Sequence, residues 1–395
     1  MNKKIIIYAD NSATTRMHNE VFDAMVPYLK ENYGNASSIY SLGREAALTI
    51  KQARKDIAEC INAEENEIFF TSGGSESDNW ALKSGVLLTP NKNHIVTSAI
   101  EHHAVLHTVQ SLVKKGFSAS YVGVDNFGLV STESVIAAIN NKTSIVSIMM
   151  ANNEIGTIEP IAKIAKVCRE KGVLFHTDAV QAVGHIKVDV KELGIDMLSL
   201  SAHKFRGPKG VGALFIKKGI NLPVFIEGGA QENSMRAGTE NVAGIFGMAK
   251  ALKIATNNLK INTNKILKLR NRLMENILKF DNTRLTGHPE KRLPGSASFC
   301  FEGVEGESMI LDLNMHGICA SSGSACTSKS LEASHVLLAI GLPHEIAHGS
   351  LRITLSEENT EKEIDYIISV LKSIIDRLRL MSPLWEKIIK KAVYH

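Results

Sequence analysis

Residues 173–210 read VLFHTDAVQAVGHIKVDVKELGIDMLSLSAHKFRGPKG. Two short apolar runs in this stretch stop at polar chemistry. Val173-Leu174-Phe175 ends in His176-Thr177-Asp178, with Gln181 just beyond, and the run 196–200 ends in Ser201-Ala202-His203-Lys204. Such runs predict buried parallel strands whose carboxyl ends open on a crevice, the edge at which open α/β sheets bind ligands. An acid, an amide, a hydroxyl, an imidazole and an amine would meet there. That set suits a heteroaromatic cofactor carrying a ring nitrogen, an aldehyde and a phosphate, which is pyridoxal phosphate. Lys204 would hold the aldehyde as a Schiff base, and Asp178 would keep the ring nitrogen protonated.

Other constellations fit around that pair, each with a plainer alternative. Residues 70–79, FTSGGSESDN, form a strand, a glycine turn and a helix start. Gly73 and Gly74 let the backbone approach an anion, and Ser75 adds a donor; a purely structural turn is the alternative, and no Walker lysine follows. Glu101-His102-His103 lies past an apolar run at the same edge. An imidazole there could stack on the ring and relay protons, or be a satisfied or metal-binding histidine, His103 and His107 having i, i+4 spacing. Asn152-Asn153-Glu154 could line a ligand or cap a loop. Residues 321–328, SSGSACTS, set Cys326 among small residues, where a thiol is accessible and positioned to react; an incidental surface thiol is the alternative. Arg352, in GSLRITLS, is a plausible fork for a carboxylate or one half of a surface ion pair. The zinc-peptidase pattern HEIAH at 344–348 follows Gly341-Leu342-Pro343 and stops at Gly349, which predicts a short structural turn of helix with no metal role.

The totals place these residues in an ordinary enzyme-sized chain. At 395 residues, 44% hydrophobic and 22% charged, there is material for two or three domains with a sizeable core. Lys+Arg 45 against Asp+Glu 41 leaves a net +4, and the basic residues are scattered, which argues against nucleic acid. Five cysteines without a CxxC pair point to a reducing compartment, and the absence of a signal-like apolar start or a spanning apolar run points to the cytoplasm and away from membranes. From residue 68 strands alternate with helices, at 68–71, 76–88, 94–98, 103–115, 118–124, 132–140, 144–150, 160–171 and 173–178, which predicts βαβ units and a mainly parallel sheet. Two long helical stretches follow, about 239–258 and 261–279. Then come strands at 296–301, 318 and 350–355 and helices at 307–315, 333–340 and 361–380, a smaller α+β unit. Thr360 and Glu363 have capping-box spacing before an apolar stripe of Ile364, Ile367, Ile368, Leu371, Ile374, Ile375 and Leu378. The tail, 383–395, reads as a frayed basic helix or a docking element for another protein.

Together, TSGGSESDN, EHHAVL at 101–106, ANNEIG, HTDAVQAVG, SLSAHKFRGPKG, MRAGTEN, SSGSACTS and RLRLMSPLWE resemble the cysteine desulfurases of the NifS and IscS branch, from Tyr8 to about Trp385. The resemblance implies a class V aminotransferase-like, fold-type I pyridoxal-phosphate homodimer. A large domain, 16–258, would hold a mainly parallel seven-stranded sheet between helices. A smaller α+β domain, 1–15 and 259–395, would carry the cysteine loop. It further implies removal of sulfur from L-cysteine to give L-alanine and a persulfide on Cys326, passed to a sulfur acceptor such as an iron–sulfur scaffold protein. Carried over by position, Lys204 resembles the Schiff-base lysine, Asp178 would pair with the ring nitrogen and Gln181 with the ring hydroxyl oxygen, and His102 would stack on the ring. Gly74, Ser75, Ser201 and His203 would hold the phosphate, with Thr239 reaching across from the other subunit. Asn153 and Arg352 would bind the substrate carboxylate; no permanent metal is implied, though Cys326 could transiently ligate an iron–sulfur cluster. The rivals are a class V aminotransferase, a selenocysteine lyase, a non-enzymatic sulfur-transfer scaffold and, through HEIAH, a zinc hydrolase.

Overall fold

The computed structural model describes residues 6–322, 333–386 and 388. Its strands are β1 (Ile7–Tyr8), β2 (Ile68–Thr71), β3 (His94–Ser98), β4 (Ser118–Val122), β5 (Thr143–Ser147), β6 (Leu174–Asp178), β7 (Met197–Ser201), β8 (Gly212–Ile216), β9 (Thr283–Leu285), β10 (Ser296–Phe301), β11 (Ile318–Cys319) and β12 (Ser350–Thr354). Seven of them form one sheet in the order β2-β8-β7-β6-β5-β3-β4. Pairings are parallel from β4 through β3, β5 and β6 to β7, and β8 alone runs antiparallel to both its neighbours. The link from β7 to β8 is too short for a crossover helix, so this strand returns as a hairpin.

The order determines where a ligand goes. From β3 the chain steps outward to β4, and from β5 it steps the opposite way through β6 and β7. Beyond the carboxyl ends of β3 and β5 the flanking connections therefore part, and such a switch point leaves a crevice. Strands β3, β5 and β7 are buried along their whole length, as expected of parallel strands covered on both faces.

Most elements lie where the apolar periodicity places them, and the differences have local causes. The helix expected from residue 76 starts earlier, at Gly74, and runs Gly74–Gly85. Gly73 makes this turn with φ +154°, a backbone region that side-chain-bearing residues avoid. A Cβ on Gly74 would lie 2.6 Å from Val180 Cγ2, so a larger residue there would require the Val180 side chain to shift. Strand β9 has three residues at a sheet edge and was not visible as a periodic run.

A second core joins Ile7 and Ala9 from the start of the chain to residues 266–375. It is built on the antiparallel sheet β12-β10-β9, and β1 pairs with β11 beside it. Helix Glu361–Leu380 seals this core. Its capping box is formed: the Thr360 N–H donates to Glu363 Oε2 at 2.8 Å, and Thr360 Oγ1 accepts from the Glu363 N–H at 3.3 Å. Ile364, Ile367, Leu371, Ile374 and Ile375 are buried against it. The first residues of the tail dock on their own chain, Trp385 packing under the Arg379 guanidinium at 4.0 Å. Ile367→Ala should cost about 2–5 kcal/mol of stability in urea unfolding. Leu380→Ala, on a side chain 86% exposed, should stay within about 0.5 kcal/mol; equal effects would contradict the assignment of this helix face.

Candidate functional site

At the carboxyl edge of the large sheet lies a cavity of about 330 Å³. Each strand delivers one or two groups to it. The loop after β3 brings His102, the loop after β5 brings Met149 and Asn153, and β6 ends in Asp178 with Val180 and Gln181 following. The turn after β7 brings Ser201, His203 and Lys204. Gly74, Ser75 and Asp78 come from the helix after β2, Ser12 and Ala13 from the turn after β1, and Arg352 from β12 of the second core.

Hydrogen bonds hold these groups in place. Lys204 Nζ donates to the carbonyls of Ser12 and, at 2.9 Å, Ala13. Its own carbonyl pairs with His185 Nε2 at 2.8 Å. Gln181 Nε2 also donates to the Ser12 carbonyl, at 2.9 Å, so the turn after β1 braces both side chains. Asp178 Oδ1 accepts the Val180 N–H at 2.9 Å. His102 caps the helix His103–Val113, its Nδ1 accepting the Ala104 N–H at 3.1 Å, which fixes the ring's orientation. His203 Nδ1 pairs with Thr14 Oγ1 at 3.1 Å. By contrast, the helix beginning at Gly74 has no side-chain cap, so its first-turn N–H groups are donors for an anion in the cavity.

Burial sets the electrostatics. It pushes the Asp178 carboxyl up against the opposing pull of His102, the Val180 N–H and Lys204. Burial likewise lowers His102, against the pull of Asp178 and with Lys204 and His107 adding to the effect, so this imidazole is biased towards its neutral form. Glu101 is pushed up to about 8 and Glu154 to about 7, both by burial. Arg352 is 3% exposed: Nη2 pairs with Asp10 Oδ1 at 2.8 Å and Nη1 donates to the Asn153 carbonyl at 2.9 Å. It is a buried, braced fork and no surface ion pair.

The cavity gathers Gly74, Ser75, His102, Asn153, Asp178, Gln181, Ser201, His203, Lys204 and Arg352, all named from sequence. Thr239 is exposed and does not line it. Cys326 lies outside the described residues. The loop-or-ligand alternative at 152–154 divides by residue. Asn152 caps the loop, its Oδ1 accepting the Glu154 and Ile155 N–H groups at 2.8 and 3.0 Å, whereas Asn153 lines the cavity. His103 stacks on His107 and contacts His335, away from the cavity lining. Residues 344–347 form a four-residue helix on which His344 and Glu345 are exposed, as is His348 just after it. The other four cysteines carry free thiols, with Cys168 and Cys300 pushed up to about 12 by burial and so poor nucleophiles. Sequence reasoning missed Asp10, Ser12, Ala13 and Asp78. Asp78 sits inside the quoted phosphate-turn motif, and the other three in the polar turn after the first strand.

Residues 7–367 match the aminotransferase class-V family, and the chain belongs to it. A cysteine desulfurase IscS of Clostridium botulinum is 52% identical over 394 residues, covering 99% of each chain. The IscS of Methanosarcina thermophila is 53% identical over 382 residues, covering 96% of this chain and 95% of that one. Among solved structures, a NifS-like protein superposes with a TM-score of 0.89 at 38% identity, covering 94% of this chain and all of the other.

The buried acids make stability depend on pH. Folding raises Glu101 from its ordinary 4.5 to about 8, so the folded chain holds this proton where the unfolded chain has lost it. Its stabilisation is complete below the unfolded value and is lost as pH rises through the folded one. Glu101→Gln should therefore lose less stability than the wild type between pH 4.5 and about 8, as read by urea unfolding at several pH values. Parallel curves would contradict a neutral Glu101.

Proposed function

We propose that the protein is a pyridoxal-phosphate-dependent cysteine desulfurase that takes sulfur from L-cysteine, leaves L-alanine and carries the sulfur as a persulfide on Cys326. The observation that supports it best is the convergence of Lys204, Asp178, His102 and Arg352 on one cavity beside an uncapped helix start. The full-length likeness to cysteine desulfurases points the same way.

The chemistry of the donors fits the cofactor. Gly74, Ser75, Ser201 and His203 would hold its phosphate, with Thr239 arriving from a second copy; Asp178 would meet the ring nitrogen, Gln181 the ring hydroxyl oxygen, and His102 the ring face. Bound there, pyridoxal phosphate supplies an electrophilic carbon and an electron sink for the substrate α-carbon. Lys204 Nζ would hold that carbon until the substrate amine replaces it, and would then take the α-proton. Arg352 and Asn153 would hold the substrate carboxylate, the guanidinium fork already set by Asp10. A neutral His102 is suited to relay a proton towards the substrate. The Cys326 thiolate would attack the substrate sulfur: an S–S bond forms, the C–S bond breaks, and the carbon gains a proton to become the methyl of alanine. Carbon is reduced and sulfur oxidised, with no outside reductant.

A division into a large domain, 16–258, and a small one, 1–15 with 259–395, is supported by one core drawn from residues 21–252 with Leu293 and another drawn from Ile7, Ala9 and residues 266–375. A homodimer is supported by the exposed apolar side chains Phe22, Val26, Leu29, Tyr33 and Ile39 near the start of the chain. A sulfur acceptor, such as an iron–sulfur scaffold protein, and a cytoplasmic setting complete the reading. Among the described residues no helix is long and apolar enough to cross a membrane.

Purified protein should form L-alanine from L-cysteine without any keto acid, and should release sulfide when dithiothreitol is added to reduce the persulfide. Lys204→Ala and Cys326→Ala should each abolish turnover, with Cys326→Ala still giving a cofactor absorbance change on adding cysteine. Alanine formation only with a keto acid would favour an aminotransferase, and turnover by Cys326→Ala would remove that thiol from the mechanism. Arg352→Lys should raise KM about tenfold or more with a smaller change in kcat, since a lysine cannot form the bidentate pair. An unchanged KM would place the carboxylate elsewhere.

A further inference from the structure

Asp78 is a buried acid in the cavity wall that the reaction above does not use. Its helix, Gly74–Gly85, is the one that opens on the phosphate seat, and its side chain is 1% exposed. Among the described residues Oδ1 has no hydrogen-bond partner. The nearest basic group from β6 is His176, whose Nε2 lies 3.7 Å from that oxygen. Both nitrogens of this imidazole are engaged, Nδ1 with Ser147 Oγ of β5 at 2.8 Å and Nε2 with Ser199 Oγ of β7 at 2.9 Å. Burial holds His176 down to about 3, so it offers Asp78 no positive charge.

The other neighbours make the problem sharper. A carboxylate oxygen of Asp78, one of Asp178 and a ring nitrogen of His102 all lie within 4.8 Å of one another. Glu101, from the loop after β3, adds a second nearby acid. Two carboxyls this close in a dry site do not both ionise. Their surroundings decide which one keeps the proton. Asp178 accepts a backbone N–H and has Lys204 beside it, both favouring its charged form. Asp78 has the Ser199 hydroxyl to favour its charge, with burial and the Asp178 charge against it.

We propose that Asp78 is a positioning residue that holds a proton, so that the pair presents one negative charge, on Asp178, to one cationic ring nitrogen. This rests on the pyridoxal phosphate reading. A second negative charge at Asp78 would stabilise the ammonium form of Lys204, and that form can neither make the covalent link nor take the α-proton. The neutral acid fills the space beside Asp178 without adding that field.

Infrared difference spectroscopy of purified wild type against Asp78→Asn at neutral pH reads the carbonyl stretch of a protonated carboxylic acid. The wild type should show a band that the variant lacks; no difference in that region would overturn the proposal. On the holoenzymes, the pH midpoint of the cofactor's visible band should agree within about 0.3 units between wild type and Asp78→Asn, one neutral group having replaced another. A fall of about one unit or more would mean that a negative charge had been removed, and would equally overturn it. Asp78→Ser, also uncharged, serves for both readings where the amide does not pack. Wild-type protein that takes up no pyridoxal phosphate would sink the functional reading, while the infrared comparison would still decide the protonation of Asp78.

Discussion

The site depends on the parallel pairing of β6 with β7, in which His176, Thr177 and Asp178 stand opposite Met197, Leu198 and Ser199. This register ends both strands at the same edge, so that Asp178 and the Ser201–Lys204 turn open on one crevice. A slip of one residue would turn every side chain of a strand to the other face. The apolar side chains that one face of these strands gives to a single core make such a slip costly: Phe175, Leu198 and Leu200 are fully buried there. Packing energy thus holds the polar groups in place, and the link runs from strand composition through register to chemistry.

Holding them there is expensive, because a buried polar group without a partner costs free energy. The structure offsets that cost in layers. Hydroxyls on β5 and β7 engage both nitrogens of His176. The turn after β1 gives its Ser12 carbonyl to both Gln181 and Lys204. Asp10 pairs with the buried Arg352 guanidinium. Glu101 accepts from Ser98 and the Met149 N–H, and burial keeps it protonated well above the ordinary carboxyl range. Burial raises Glu154 and Asp78 in the same direction, so acids held above the ordinary carboxyl range recur around this crevice.

Local patterns made much of this legible from residue types alone. Strands β2, β3 and β10 begin and end where their apolar runs do, and the capping box at Thr360 marks the start of the last long helix. The strand-to-polar transitions at Asp178 and Lys204 announced a shared edge because parallel strands deliver their carboxyl ends together. Other features were not legible, for physical reasons. Asp10 and Arg352 are 342 residues apart, and no periodicity records such a contact. Asp78 sits on a helix turn whose sequence is ordinary; only its burial against Asp178 gives it meaning. Asn152 and Asn153 are adjacent and alike, and backbone geometry alone sends one to cap the loop and the other to the cavity. Thr239 and Cys326 keep roles drawn from family likeness.

In the proposed function Lys204 would be the amine that carries the cofactor opposite Asp178. Borohydride reduction of the purified holoprotein, followed by proteolysis and peptide mass spectrometry, tests it directly. A pyridoxyl group is expected on the peptide containing Lys204, and its loss from that peptide in Lys204→Ala. A modified lysine elsewhere in the chain, or no modified peptide from protein saturated with pyridoxal phosphate, would contradict it.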